Sequence, residues 1–163
     1  MNGNILREMF DCIPELDFQA GYRYFLGSTE NYSRALMSTL KSIKSKLPLL
    51  ESMYYTEEYE GLRTITRTLR KMLGNIGALS LAEASYRMES ALFGDTSLLQ
   101  ERLADYMDEL TVLSEHLETL LQSMFGRNIT AREESNSSFL HYDFTKTRES
   151  IRKSTDLLER KII

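Results

Sequence analysis

Apolar residues recur along most of this chain in steps of three and four, and nowhere in the alternation that marks a half-buried strand. The cleanest run is Leu99, Leu103, Tyr106, Leu110, Leu113, Leu117, Leu120 and Met124. It predicts a helix over about Thr96–Phe125 with one inward stripe, ended by Gly126. A second long helix is predicted over about Ser28–Tyr54, with Tyr32, Leu36, Leu40, Ile43, Leu47, Leu50 and Tyr54 inward and Pro48 off the stripe. Between them, Tyr59, Leu62, Ile65, Leu69, Met72 and Ile76 predict a helix over about Thr56–Gly77, flanked by Leu73 and opened by Glu57 and Glu58. Ser80-Leu81-Ala82-Glu83 has the form of a capping box, which predicts a further helix with Leu81, Ala84, Met88 and Leu92 inward and Gly94 at its end.

Shorter elements flank these four. Asp17–Leu26, after Pro14 and before Gly27, reads as a short helix, and Ile5–Cys12 reads as a weaker one. Residues 127–142 are polar and aperiodic, which predicts a linker. Asp143 then stands where it could cap a helix over residues 143–163. Its apolar positions (Phe144, Ile151, Leu158, Ile162) are sparse, so docking on the rest of the chain or homodimer pairing are its routes to stability. The expected organisation is an N-terminal segment at 1–13, a helical unit at 14–126, the linker at 127–142 and the terminal helix. Four substantial helices joined by short turns predict an all-α, antiparallel up-and-down four-helix bundle.

Composition narrows the function classes. Of 163 residues, 20 are Lys or Arg and 24 are Asp or Glu, and this net charge of -4 offers no basic excess for nucleic acid. No apolar run approaches the length of a membrane span, no basic-then-apolar leader pattern opens the chain, and the lone Cys12 suits a reducing compartment, where it reads as a small apolar filler. A cytoplasmic location is the expectation. His116 and His141 are isolated, and no metal-ligand spacing, phosphate-binding glycine loop or nucleophile motif is present, so no metal, cofactor or enzymatic chemistry is expected. Glu101, Asp105, Asp108 and Glu109 read as the solvated side of the last long helix.

One local concentration of charge stands out from this background. Arg63, Arg67, Arg70 and Gly74 share the outer face of the third predicted helix, with Lys71 beside them. The segment Arg67-Thr68-Leu69-Arg70-Lys71-Met72-Leu73-Gly74-Asn75-Ile76-Gly77-Ala78 resembles the signature of histidine-phosphotransfer (HPt) domains. There the pattern runs histidine, any residue, leucine, lysine, glycine, two mostly small residues, glycine, any residue, an aliphatic residue, then glycine. Leu16-Asp17 through Gly21, then Gly27, Tyr32 and Leu36, resemble the start of that domain. Glu89 and Gly94-Asp95 match its following helix and turn, so the likeness spans roughly residues 14–124.

The resemblance implies an HPt-like bundle whose residue 67 projects toward a receiver domain, with Arg70 keeping the cation that favours a phosphoryl group. Two departures remove the chemistry. Arginine stands at 67 in place of the acceptor histidine, and a guanidinium has no free lone pair with which to attack phosphorus. Lys71 stands in place of a glycine that leaves room for the partner. The expectation is a pseudo-phosphotransfer module that binds a response-regulator receiver, or a hybrid sensor kinase, through Arg63, Arg67, Arg70, Lys71 and Gly74. Its rivals are an active carrier that uses another residue such as His116, and a purely structural or oligomerising bundle.

Overall fold

A computed structural model describes residues 3–94 and 97–125, and every regular element among them is an α-helix. In chain order these are α1 (Gly3–Phe10), α2 (Phe18–Tyr24), α3 (Thr29–Tyr55), α4 (Tyr59–Ile76), α5 (Leu79–Ala91) and α6 (Leu99–Phe125). The protein is all-α. The expected linker at 127–142 and helix at 143–163 lie outside the described residues, and so does His141. No helix among the described residues is long and apolar enough to cross a membrane.

The long stripes bury as their spacing dictates. On α6, Leu99, Leu103, Tyr106, Leu110, Leu113, Leu117 and Leu120 are buried and Met124 packs at the margin. On α3, Tyr32 through Leu50 of the stripe are buried and Tyr54 is partly so, while the helix runs unbroken through Pro48. Helix α3 packs on α4 and α6, and α5 packs on the same two, so the four longer helices close a cycle around one apolar cluster. Phe10 and Ile13 join that cluster from the N-terminal side, Phe10 stacking on Phe18 with ring centroids 4.8 Å apart.

Three local expectations need correcting. Helix α4 begins at Tyr59 rather than Thr56, because Glu57 takes a left-handed φ of 57° and forces the chain to turn. Glu57 and Glu58 therefore lie before the helix, where Thr56 Oγ1 donates to Glu58 Oε1 at 2.7 Å. The capping box at Ser80 does not form: α5 starts at Leu79, with the fully buried Ala78 at its N-cap and Ser80 already in the first turn. On α4, Leu73 rather than Met72 holds the fully buried position.

The junction of α2 with the end of α4 is built backbone against backbone. Gly77 closes α4 in the left-handed region at φ 93°, and its carbonyl accepts from Asp17 N–H at 2.8 Å. A Cβ on Gly21 would stand 2.2 Å from the Ile76 carbonyl oxygen, and one on Gly77 would stand 2.1 Å from that of Asp17. Asp17 caps α2 by accepting from Ala20 N–H at 3.0 Å, and the buried Tyr32 hydroxyl donates to the Ile76 carbonyl at 2.7 Å. Asp17, Gly21 and Tyr32 thus fix the C-terminal end of α4.

Burial pushes the Tyr32 hydroxyl well above its ordinary value, helped by the Asp17 carboxylate. Burial does the same to Tyr106, where the hydrogen bond with Ser85 acts in the opposite direction and Glu109 adds to the rise. Both phenols keep their protons in the folded state after an unfolded chain, with tyrosines near 10.0, has begun to lose them. Stability from these groups is therefore complete below about pH 10 and falls as pH rises further. At pH 11 the expected loss is roughly 1 kcal/mol per tyrosine. Urea melts at pH 8 and 11 check this, and Tyr32→Phe with Tyr106→Phe should flatten the loss.

Candidate functional site

The sequence-predicted cations gather on α4 where it packs against α5. Steps of four and three bring Arg63, Arg67 and Arg70 to one face, and α5 meets that face with Glu89, Tyr86 and, just beyond its end, Phe93. Arg67 donates from Nε to Glu89 Oε1 at 2.9 Å, and its Nη2 lies 2.8 Å from the same oxygen. Arg70 Nη1 lies 3.2 Å from Glu89 Oε2. The Glu89 side chain is only 10% exposed, so a carboxylate has been drawn almost wholly out of water between two guanidinium groups. Burial of that kind is tolerable only with such charge partners.

The flanking arginines are seated on rings. The Arg63 guanidinium lies 4.1 Å from the Phe93 centroid and also pairs with Glu60, while Arg70 lies 5.5 Å from the Tyr86 centroid. Both rings remain largely open to solvent, Phe93 at 67% and Tyr86 at 51%, and Leu79 at the start of α5 is half-exposed as well. Sequence reasoning missed Tyr86 and Phe93. The signal for them was the seven-residue spacing of Leu79, Tyr86 and Phe93, which puts three large apolar residues on a line apart from the inward Leu81 and Met88.

Lys71 is exposed and makes no ion pair among the described residues, so it adds charge without entering the Glu89 cluster. Gly74 faces α5, where an added Cβ would meet only Ala82 Cβ at an ordinary 3.9 Å. A small residue suffices there. Ser85 and Glu89 are buried on α5 where the apolar stripe alone predicted Ala84 and Leu92, and these last two pack at the margin. Ser85 is satisfied by the Leu81 carbonyl and by the Tyr106 hydroxyl at 2.6 Å.

His116 belongs to a different neighbourhood. Its Nδ1 lies 3.0 Å from Glu15 Oε2, so it ties α6 to the segment before α2. Cys12 is exposed rather than an apolar filler, with its thiol directed at the Glu8 carbonyl at 3.7 Å. No group of His, Cys, Asp or Glu able to hold a metal occurs among the described residues. Of the carboxylates on α6, Glu101, Asp105 and Glu109 are exposed and Asp108 is half-buried. Partial burial, then Asp105 and Asp108, push the Glu109 carboxyl above its ordinary value.

The arrangement offers no nucleophile at position 67. What it offers is a half-exposed guanidinium at the centre of a cationic, aromatic-edged face. No family model matches the chain, and neither the curated proteins nor the solved structures contain a significant match.

Proposed function

We propose that this chain is an HPt-type antiparallel four-helix bundle that has lost its acceptor histidine and docks a response-regulator receiver domain, in the cytoplasm, without carrying phosphate. The cycle of contacts among α3, α4, α5 and α6 supports the bundle reading, and so does the tight Gly77 turn from α4 into α5. The observation that carries the functional reading is Arg67 itself. It stands where the resemblance puts the nucleophile, half-exposed, with Arg63 and Arg70 to either side along the helix. Receivers, as the resemblance implies, present clustered carboxylates, and such a face attracts them over distance and orients them on contact. Tyr86 and Phe93 add the aromatic surface that contributes most per residue at protein interfaces. A hybrid sensor kinase carrying a receiver is an equivalent partner.

The pairing of Arg67 and Arg70 with Glu89 favours a second reading, in which these cations serve only to pack α4 on α5. Calorimetric titration of the full chain with receiver domains encoded by the same genome separates the two. Docking predicts at least one receiver that binds in about the micromolar range of transient signalling contacts. Arg67→Gln, which removes the charge but keeps a donor for Glu89, should weaken that complex by about tenfold or more. If no receiver binds and Arg67→Gln alters only thermal stability, the packing reading stands.

A further inference from the structure

The cluster at α4 and α5 is unbalanced by one charge: two guanidinium groups share one buried carboxylate. Its three arginines are also held unequally. Arg63 has a ring and Glu60, and Arg70 has a ring and Glu89, whereas the contacts of Arg67 among the described residues are to Glu89 alone. Exposure follows the same order, with side chains open to 20% for Arg63, 32% for Arg70 and 51% for Arg67. Both Nε and Nη2 of Arg67 converge on a single oxygen, Oε1, instead of making the two-oxygen fork that gives guanidinium–carboxylate pairs their full strength. Should Arg67 leave, Glu89 keeps Arg70 as an ion-pair partner at 3.2 Å, although its buried Oε2 accepts no hydrogen bond, so a counter-charge stays beside the carboxylate.

We propose that Glu89 is an internal stand-in for a partner's carboxylate, and that recognition proceeds by exchange. Arg67 releases Glu89 and forms a two-oxygen fork with an acidic side chain of the docking protein, while Arg63 and Arg70 stay on their rings. The partner segment that fits presents a carboxylate beside apolar side chains able to cover Phe93 and Tyr86. Glu89 is thus a positioning residue that limits affinity in the free protein, since the competent, released Arg67 is only a fraction of the population. This inference rests on the docking reading for its partner, but its chemistry is testable without it.

The test follows the Nε–H resonances of the three arginines in the full-length protein, with succinate as a simple carboxylate probe and with the receiver domains in parallel. Glu89→Gln should lower the succinate concentration that half-shifts Arg67, and should tighten receiver binding, each by about fivefold or more. Glu83→Gln, the same charge change at an exposed α5 residue paired with Arg87, should alter both by less than about twofold. In the wild-type protein, which needs no variant to fold, succinate should move Arg67 and leave Arg63 and Arg70 in place. Equal responses of Glu89→Gln and Glu83→Gln overturn the exchange, as does a wild-type Arg67 that moves no more than its neighbours. If the succinate arm behaves as expected and no receiver binds, exchange stands and the receiver reading falls. If a receiver binds and Glu89→Gln gains nothing, exchange alone falls.

Discussion

Arg67→His combined with Lys71→Gly is expected to turn this protein into a phosphoryl acceptor. Position 67 is half-exposed, Arg70 stands one helical step away to favour the phosphoryl charge, and the Glu89 carboxylate that now holds Arg67 is on the facing helix. An imidazole at this outward position restores the nucleophile that a guanidinium lacks and opens it to a docked acyl phosphate. Removing the lysine side chain clears the adjoining surface where the resemblance calls for glycine. A phosphorylated receiver that docks should lose its phosphate to the double variant at least about tenfold faster than by its own hydrolysis. The product is an acid-labile, base-stable label on this chain. The wild-type protein should acquire none. A double variant that binds the receiver as before yet accepts no phosphate would show that more than the nucleophile has been lost.

Gly77→Ala should be the most damaging small substitution in the fold. The new Cβ would stand 2.1 Å from the Asp17 carbonyl oxygen, on a backbone held at φ 93°. Neither cost can be relieved cheaply, because the obstacle is main chain and α2 is tied to it through the Asp17–Gly77 hydrogen bond. Overpacking and left-handed strain together come to about 3 kcal/mol, or roughly 10 °C in thermal midpoint for a chain of this size. Gly74→Ala is the matched control. Its Cβ meets Ala82 at ordinary contact distance, so the gain in helix propensity should leave stability unchanged or raised by about 0.5–1 kcal/mol. Urea melts of the two variants read the difference directly. Similar stabilities for both would contradict the tight α2–α4 junction.

The long helices were legible because their information is one-dimensional. A stripe of Leu, Ile and Tyr at steps of three and four on α3 and α6 buries itself whatever the neighbours are, provided there are neighbours. The start of α4 was not legible, since a glutamate at left-handed φ in position 57 leaves no mark in a spacing pattern. The cap of α5 departs from the Ser80 pattern for a related reason: Gly77 and Ala78 turn the chain before Ser80, which already lies in the first turn. Ser85 and Glu89 illustrate a deeper limit. A buried serine or threonine can turn to a carbonyl of its own helix, as Ser85 does to Leu81. But the Glu89 carboxylate needs cations from another helix, and Arg67 and Arg70 come beside it only after the helices meet. The outward face of Arg67 was readable from its offset to the stripe. Its grip on Glu89 was not, and that grip changes the site from a row of free cations into a face whose central charge is already engaged.

The function proposed for this protein is docking to a receiver without acceptor chemistry. Its most direct test is to mix the full-length protein with a receiver carrying radiolabelled acyl phosphate and follow the label, first by gel filtration and then on a denaturing gel. The label should co-elute with a complex of the two proteins and remain entirely on the receiver once they are denatured. Acid-labile label on this chain, or the failure of every receiver from the same genome to co-elute, would contradict it.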